Sequence, residues 1–131
     1  MNGKTLLAEA IEMKDEIVEN RRAIHRAPEV GAHLPQTVQF VEEKLRLLGY
    51  EPRELGGGVV AELTGEDVGR CILLRADMDA LPMPEESGEP FACPTGETAH
   101  ACGHDMHAAM LLSAAALLKR HQADLKGTVR L

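Results

Sequence analysis

Aromatic residues are nearly absent from this sequence. Its 131 residues hold two Phe, one Tyr and no Trp, so the core must be aliphatic and the ring platforms on which bases stack are missing. Basic residues are in the minority. With 14 Lys and Arg against 21 Asp and Glu, the formal charge is −7, which excludes a phosphate-backbone footprint. Long apolar runs are lacking too. The longest, Ala108 to Leu118, has eleven residues and contains Ser113, whereas a bilayer-spanning helix needs about twenty. The three cysteines, Cys71, Cys93 and Cys102, are an odd number without disulfide-scaffold spacing. The start, Met-Asn-Gly-Lys, turns acidic too early for a secretory signal. The expectation is a reduced, cytoplasmic chain with no nucleic-acid and no membrane partner.

What is present is an apolar chain of one domain's length, 44% hydrophobic and too short for two domains. From Lys4 to about Arg26, apolar residues from Leu6 to Ile24 recur at helical spacing with charges between them, and Pro28 ends the segment. Pro35 to Leu48 reads as a second helix with Val38, Val41, Leu45 and Leu48 as its stripe and Gly49 past its end. Gly56-Gly57-Gly58 marks a turn, after which Val59 to Leu63 and Arg70 to Ala76 read as strands. The continuous apolar run Cys71-Ile72-Leu73-Leu74 predicts a strand covered on both faces, with Cys71 a small core residue. Asp77 to about Ala101, punctuated by prolines, reads as loop. Gly103 to about His121 reads as a buried helix, and Thr128 to Leu131 as a strand just begun. Alternating helices and apolar strands predict an α/β layered fold. A buried-type helix leading into a final strand predicts the N-terminal part of a longer protein.

Two clusters carry chemistry. The denser is His100-Ala101-Cys102-Gly103-His104-Asp105-Met106-His107, at the mouth of the last helix. Cys102 and His104 point to one side of an extended segment, while His104 and His107 share a helix face. Thiolate and imidazole are preferred ligands of zinc and similar metals, and the positive helix end favours a Cys102 thiolate. The grouping favours a metal site over chance and N-capping. The second cluster is Arg75-Ala76-Asp77-Met78-Asp79-Ala80-Leu81-Pro82, past the better strand. Catalytic groups of open α/β sheets gather at such strand ends. Asp77 and Asp79 could ligate a metal or orient a ligand histidine; taken alone, a solvated turn fits them equally well. His25 closes the first helix, where a cation meets the negative end, and reads as a cap. Glu85-Glu86 reads as solvated charge, and Cys93 beside Pro94 has no evident partner.

The segments Ile24-His25-Arg26-Ala27-Pro28-Glu29-Val30-Gly31, Leu74 to Pro82 and His100 to Asp105 closely resemble the amidohydrolase branch of the aminoacylase/carboxypeptidase metallopeptidase family. This branch includes hippurate hydrolases and N-acyl-amino-acid amidohydrolases. The resemblance implies a zinc-exopeptidase-like three-layer α/β catalytic domain, of which residues 1–131 are the N-terminal portion. It further implies two divalent metals (zinc, manganese, cobalt or nickel), small amide substrates such as N-acyl amino acids, a lid or dimerisation domain further on, and room for a homo-oligomer. Cys102 and His104 match its metal-ligand positions. Asp79, with Asp77 close behind, matches the strand-end motif that carries the active-site aspartate. Ala99 stands where the family usually has Met. The family's general base is the first Glu of a Glu-Glu pair beyond the next strand, and the sequence ends at Leu131 inside that strand. The expectation is therefore a fragment inactive alone, the alternative a non-catalytic metal- or partner-binding remnant using Cys102, His104 and His107. A thiol redox role for Cys102 lacks a Cys-x-x-Cys motif.

Overall fold

The amphipathic stripe over residues 4–26 folds as two helices rather than one. In the computed structural model, which describes residues 2–131, they are α1 (Gly3–Glu12) and α2 (Lys14–Arg26). Met13, with φ −84° and ψ 3°, breaks the helical path between them, although neither Pro nor Gly stands there. Asn2 caps α1 by accepting the Thr5 N–H at 3.0 Å. No residue of α1 is buried, whereas α2 turns Asn20, Ile24 and His25 inward. The third helix, α3 (Pro35–Leu47), opens with proline as the sequence predicts. Its free N–H groups meet Glu29, whose carboxylate accepts from the Thr37 N–H and hydroxyl at 2.7 Å and from the Gln36 N–H at 3.2 Å.

Strands β1 (Arg53–Leu55) and β2 (Gly58–Val60) form an antiparallel hairpin around Gly56 and Gly57. Both turn residues have positive φ, +61° and +82°, the pairing that two-residue hairpin turns require. A Cβ on Gly57 would also stand 2.1 Å from the Ala32 carbonyl oxygen. The expected strand 59–63 thus divides at Ala61, with β3 (Glu62–Thr64) joining a second sheet. There β5 (Lys126–Arg130) lies between β3, antiparallel, and β4 (Asp67–Leu73), parallel. Helix α4 (His104–Arg120) makes the crossover from β4 to β5. Helices and a mixed sheet give the α/β layering expected, and among the described residues no helix is long and apolar enough to cross a membrane.

The core joins Val41 and Leu45 of α3, Tyr50, Leu63 of β3, Leu112 of α4 and Leu125. It is aliphatic but for one buried ring. The Tyr50 hydroxyl donates to the Ala115 carbonyl at 2.8 Å, and burial pushes its pKa up to about 12, so it remains a neutral donor. One expectation is overturned: every residue of β4 is exposed. Cys71 is exposed rather than core, and Ile72 and Leu73 are 58% and 66% exposed. The physical reason is packing: an apolar run shows what a strand could bury, and among the described residues β4 is engaged extensively only by β5, its neighbour within the sheet. An apolar hollow of about 250 Å³ opens next to it, lined by Val41, Leu45, Val59, Leu73, Met78 and Leu112.

Leu45 is 4% exposed at the centre of the cluster. We expect Leu45→Ala to lower unfolding stability by about 2–5 kcal/mol, read from urea denaturation. A loss under about 1 kcal/mol would show that α3 is not anchored by this core.

Candidate metal centre

Past β4 the chain is still tied to the sheet by the Leu74 N–H, which donates to the Arg130 carbonyl at 2.8 Å. Arg75 to Asp79 then leave the sheet. The Ala80 N–H bonds to the Glu29 carbonyl at 2.7 Å, and Leu81 and Ala99 exchange two backbone bonds of 2.9 and 3.0 Å. The proline-rich segment 82–98 is therefore an excursion with both ends pinned. At its far side Gly103 takes φ +90°, a left-handed conformation cheap only for glycine, and turns the chain directly into α4. His104 is the first residue of that helix.

The return of the loop brings the two motifs together. His104 Nδ1 lies 2.9 Å from the Asp79 carbonyl oxygen and 3.0 Å from Asp79 Oδ1. Both partners accept, so Nδ1 carries the proton and Nε2 keeps its lone pair for a cation. His107, one turn on, stacks its ring on His104 with centroids 5.9 Å apart. The ligand atoms of Asp77, His104 and His107 all lie within 4.8 Å of one another. Asp77 is also held by the Arg75 guanidinium. Two imidazoles and a carboxylate are a donor set that borderline divalent metals accept, so the residues fit such an ion. Of the sequence candidates, His104 and Asp77 meet in this group and Asp79 stands behind His104. Cys102 is exposed and its thiol is not part of the group, whereas His107 joins it.

Beneath this cluster lies a buried network that the sequence reading missed. His25 is not a helix cap. It is 5% exposed, with Nδ1 2.6 Å from Asp105 Oδ2 and Nε2 2.7 Å from Glu85 Oε1. Asp105, fully buried, also accepts from Arg21 Nε at 2.7 Å, and its other oxygen accepts the Met106 N–H at 2.9 Å. Nor is Glu85 solvated charge. It accepts the Cys93 N–H at 2.9 Å and the Ser87 hydroxyl at 2.7 Å besides the His25 ring. Burial raises its pKa, but the hydrogen bonds from His25, Cys93 and Ser87 outweigh that and hold it at about 2. Phe91 is buried between the guanidinium groups of Arg21 and Arg22, 4.9 and 4.8 Å from its centroid, with His25 against its edge. His100, also buried, has no hydrogen-bond partner on either ring nitrogen among the described residues, and burial pushes its pKa down. No local signal could have found the network, because its partners lie 60 and 80 residues apart in sequence.

Because Glu85 is held at about 2 in the fold against an ordinary 4.5, its contribution is fully present above pH 4.5. It is lost as pH falls from there through about 2, and amounts to about 3 kcal/mol at most. Urea unfolding of wild type and Glu85→Gln across this window should show the wild-type stability falling more steeply. Parallel curves would mean that Glu85 is not the group responsible.

Residues 73–131 match the sequence profile of Peptidase family M20/M25/M40. An N-acetyl-L-cysteine deacetylase of Bacillus subtilis is 42% identical over 121 residues, covering 91% of this chain and 29% of that protein. An N-acyl-L-amino acid amidohydrolase of Geobacillus stearothermophilus is 40% identical, over 91% of this chain and 33% of its own length. The crystal structure of a Bacillus subtilis dinuclear metal-binding peptidase of the M20 family superposes with a TM-score of 0.85. Its identity is 39%, and the match covers 88% of this chain and 33% of that one. The chain thus spans about a third of the length of these relatives, and the α/β architecture described above is shared with that crystal structure. On the profile match, the two enzymes and the shared fold together, the chain resembles members of peptidase family M20/M25/M40.

Proposed function

We propose that this chain supplies part of the metal centre of a metal-dependent amidohydrolase that cleaves the amide bond of N-acyl amino acids or similar small amides. The observation that carries this reading is the Asp79–His104 pair, which engages one nitrogen of a ring that groups with Asp77 and His107 and leaves the other without a hydrogen bond to Asp79. The relatives named for N-acetylcysteine and N-acyl amino acids support the substrate class, and the dinuclear neighbour supports two divalent ions per intact site. His104 offers one ligand atom, and Cys102, two residues before it in the same motif, is a further candidate whose exposed thiol stands outside the group of three. Zinc, manganese, cobalt and nickel all suit such donors.

A bound divalent ion would lower the pKa of water towards neutrality and polarise the amide carbonyl. The chain's own residues prepare the place. Asp79 keeps the proton on Nδ1 and fixes the ring plane. Asp77 adds negative charge that Arg75 partly offsets. Glu85 does not serve as the proton acceptor, since His25, Cys93 and Ser87 occupy it. In this reading residues 1–131 are the N-terminal portion of the catalytic domain, and the base belongs to a Glu-Glu pair outside them. Without that base, turnover falls by about a hundredfold or more.

Calorimetric titration of the 131-residue chain with Zn²⁺ and Mn²⁺ should show binding that His104→Ala abolishes and Asp79→Asn weakens by about 10–100-fold. Release of amino acid from an N-acetyl substrate should stay at background for all three. Turnover at a useful rate would overturn the placement of the base, and absence of metal binding would overturn the metal centre.

A further inference from the structure

We propose that His25 is a positioning residue for the metal centre, acting through Asp105 on His104, and that Glu85 and Phe91 brace the 82–98 excursion against it. The inference rests on the proposed metal centre but goes beyond it, because His25 touches none of the three clustered ligands. Its path is short. Asp105 follows His104 directly, in the first turn of α4, and its fully buried carboxylate is gripped by His25 at 2.6 Å and Arg21 at 2.7 Å, both from α2. The carboxylates of Asp105 and Glu85 accept, so the geometry asks His25 to donate from both ring nitrogens, one towards each. The ring therefore joins α4 to the excursion through α2.

The mechanical consequence follows from where the fixed points lie. Gly103 is a left-handed joint with no side chain to restrain it. The first turn of α4 could swivel about that joint unless something held it from either side. Asp79 holds His104 from the loop side, and the buried Asp105 holds the same turn from the helix side. The excursion that carries Glu85 begins three residues after Asp79, and the Leu81–Ala99 bridge closes it. Phe91, with the guanidinium groups of Arg21 and Arg22 over its ring and His25 packed steeply against it, anchors its middle. Tension on one attachment is therefore shared by the others. Ligand histidines set by such partners lose affinity when the partners are removed, and displacements of about half an ångström suffice to spoil a constellation of this kind.

The test needs a readout that ordinary destabilisation would not move. Long-range ¹H–¹⁵N imidazole spectra of the metal-free chain report which His104 nitrogen carries the proton, and Co²⁺ titration reports affinity. Wild type should show a single Nδ1–H form of His104. In His25→Ala that preference should give way to a mixture of tautomers, and Co²⁺ affinity should fall about tenfold or more. Glu85→Gln, which keeps the side chain's size, should shift both readouts in the same direction by less, and it serves if His25→Ala does not fold. Leu45→Ala, weakened in the core away from this network, should keep the wild-type tautomer and affinity. An unchanged His104 tautomer in both network variants would overturn the positioning role. A wild-type chain that binds no Co²⁺ would overturn the metal reading instead, and the tautomer would still decide the role of His25.

Discussion

A carboxylate with no exposed surface has to be answered by donors, and Asp105 sets that requirement at the start of α4. Left alone, its charge would be far too costly to bury. Arg21, His25 and the Met106 N–H answer it together, two of them from α2. Pulling α2 away from α4 would strand a buried charge, a loss of several kcal/mol. The helix pair is consequently not held by apolar contact alone. Its geometry is specified at the one end where the candidate ligands stand.

The rest of the site can be derived from that fixed end. A parallel crossover carries the chain from β4 through α4 to β5, so the exit from one strand and the entry to the next helix lie close together. Groups of an open α/β sheet that bind ligands collect at such places. Here Asp77 and Asp79 come from the strand exit, and His104 and His107 from the helix entry. Between them the chain makes a long excursion, and long loops without internal structure need other anchors. Glu29 supplies one, since its carbonyl takes the Ala80 N–H while its carboxylate caps α3. Glu85 supplies another on His25. Each anchor is a charged or polar group shared between two elements.

Much of this was legible in the sequence, and the division has a physical basis. Helices α3 and α4 were readable because proline, glycine and apolar spacing mark them locally. His104, Asp77 and Asp79 stand out as candidates for a similar reason, since they sit in compact motifs whose residue types suit metals, and the fold brings them near one another. The break at Met13 was not readable, because no residue there disfavours helix; it follows from α1 staying on the surface while α2 turns inward. The strand Arg53–Leu55 was missed since its residues are exposed and two are charged, leaving no alternation to read. The apolar run of β4 suggests a covered strand, and that inference fails because composition does not say which layers pack against a strand. His25 and Glu85 were read from their neighbours in sequence, as cap and solvated charge. Their true partners come from distant segments that only the fold brings together.

The choice of residue at position 25 illustrates why the network has the form it does. Two carboxylates, Asp105 and Glu85, must be held close together in a poorly solvated place, where they would repel each other. Arg21 reaches only one of them. A lysine would offer donors from a single flexible point, and its long stem would hold neither carboxylate in a fixed direction. An imidazole presents N–H groups from opposite sides of a rigid ring, with only two side-chain torsions to fix, so it can separate the carboxylates and bridge them at once. The ring also packs steeply against Phe91, which helps set its plane. His104 repeats the principle on a smaller scale, one nitrogen tied to Asp79 and the other left open. In both places a short acid and a ring on a rigid element give direction, which a metal ligand needs more than strength.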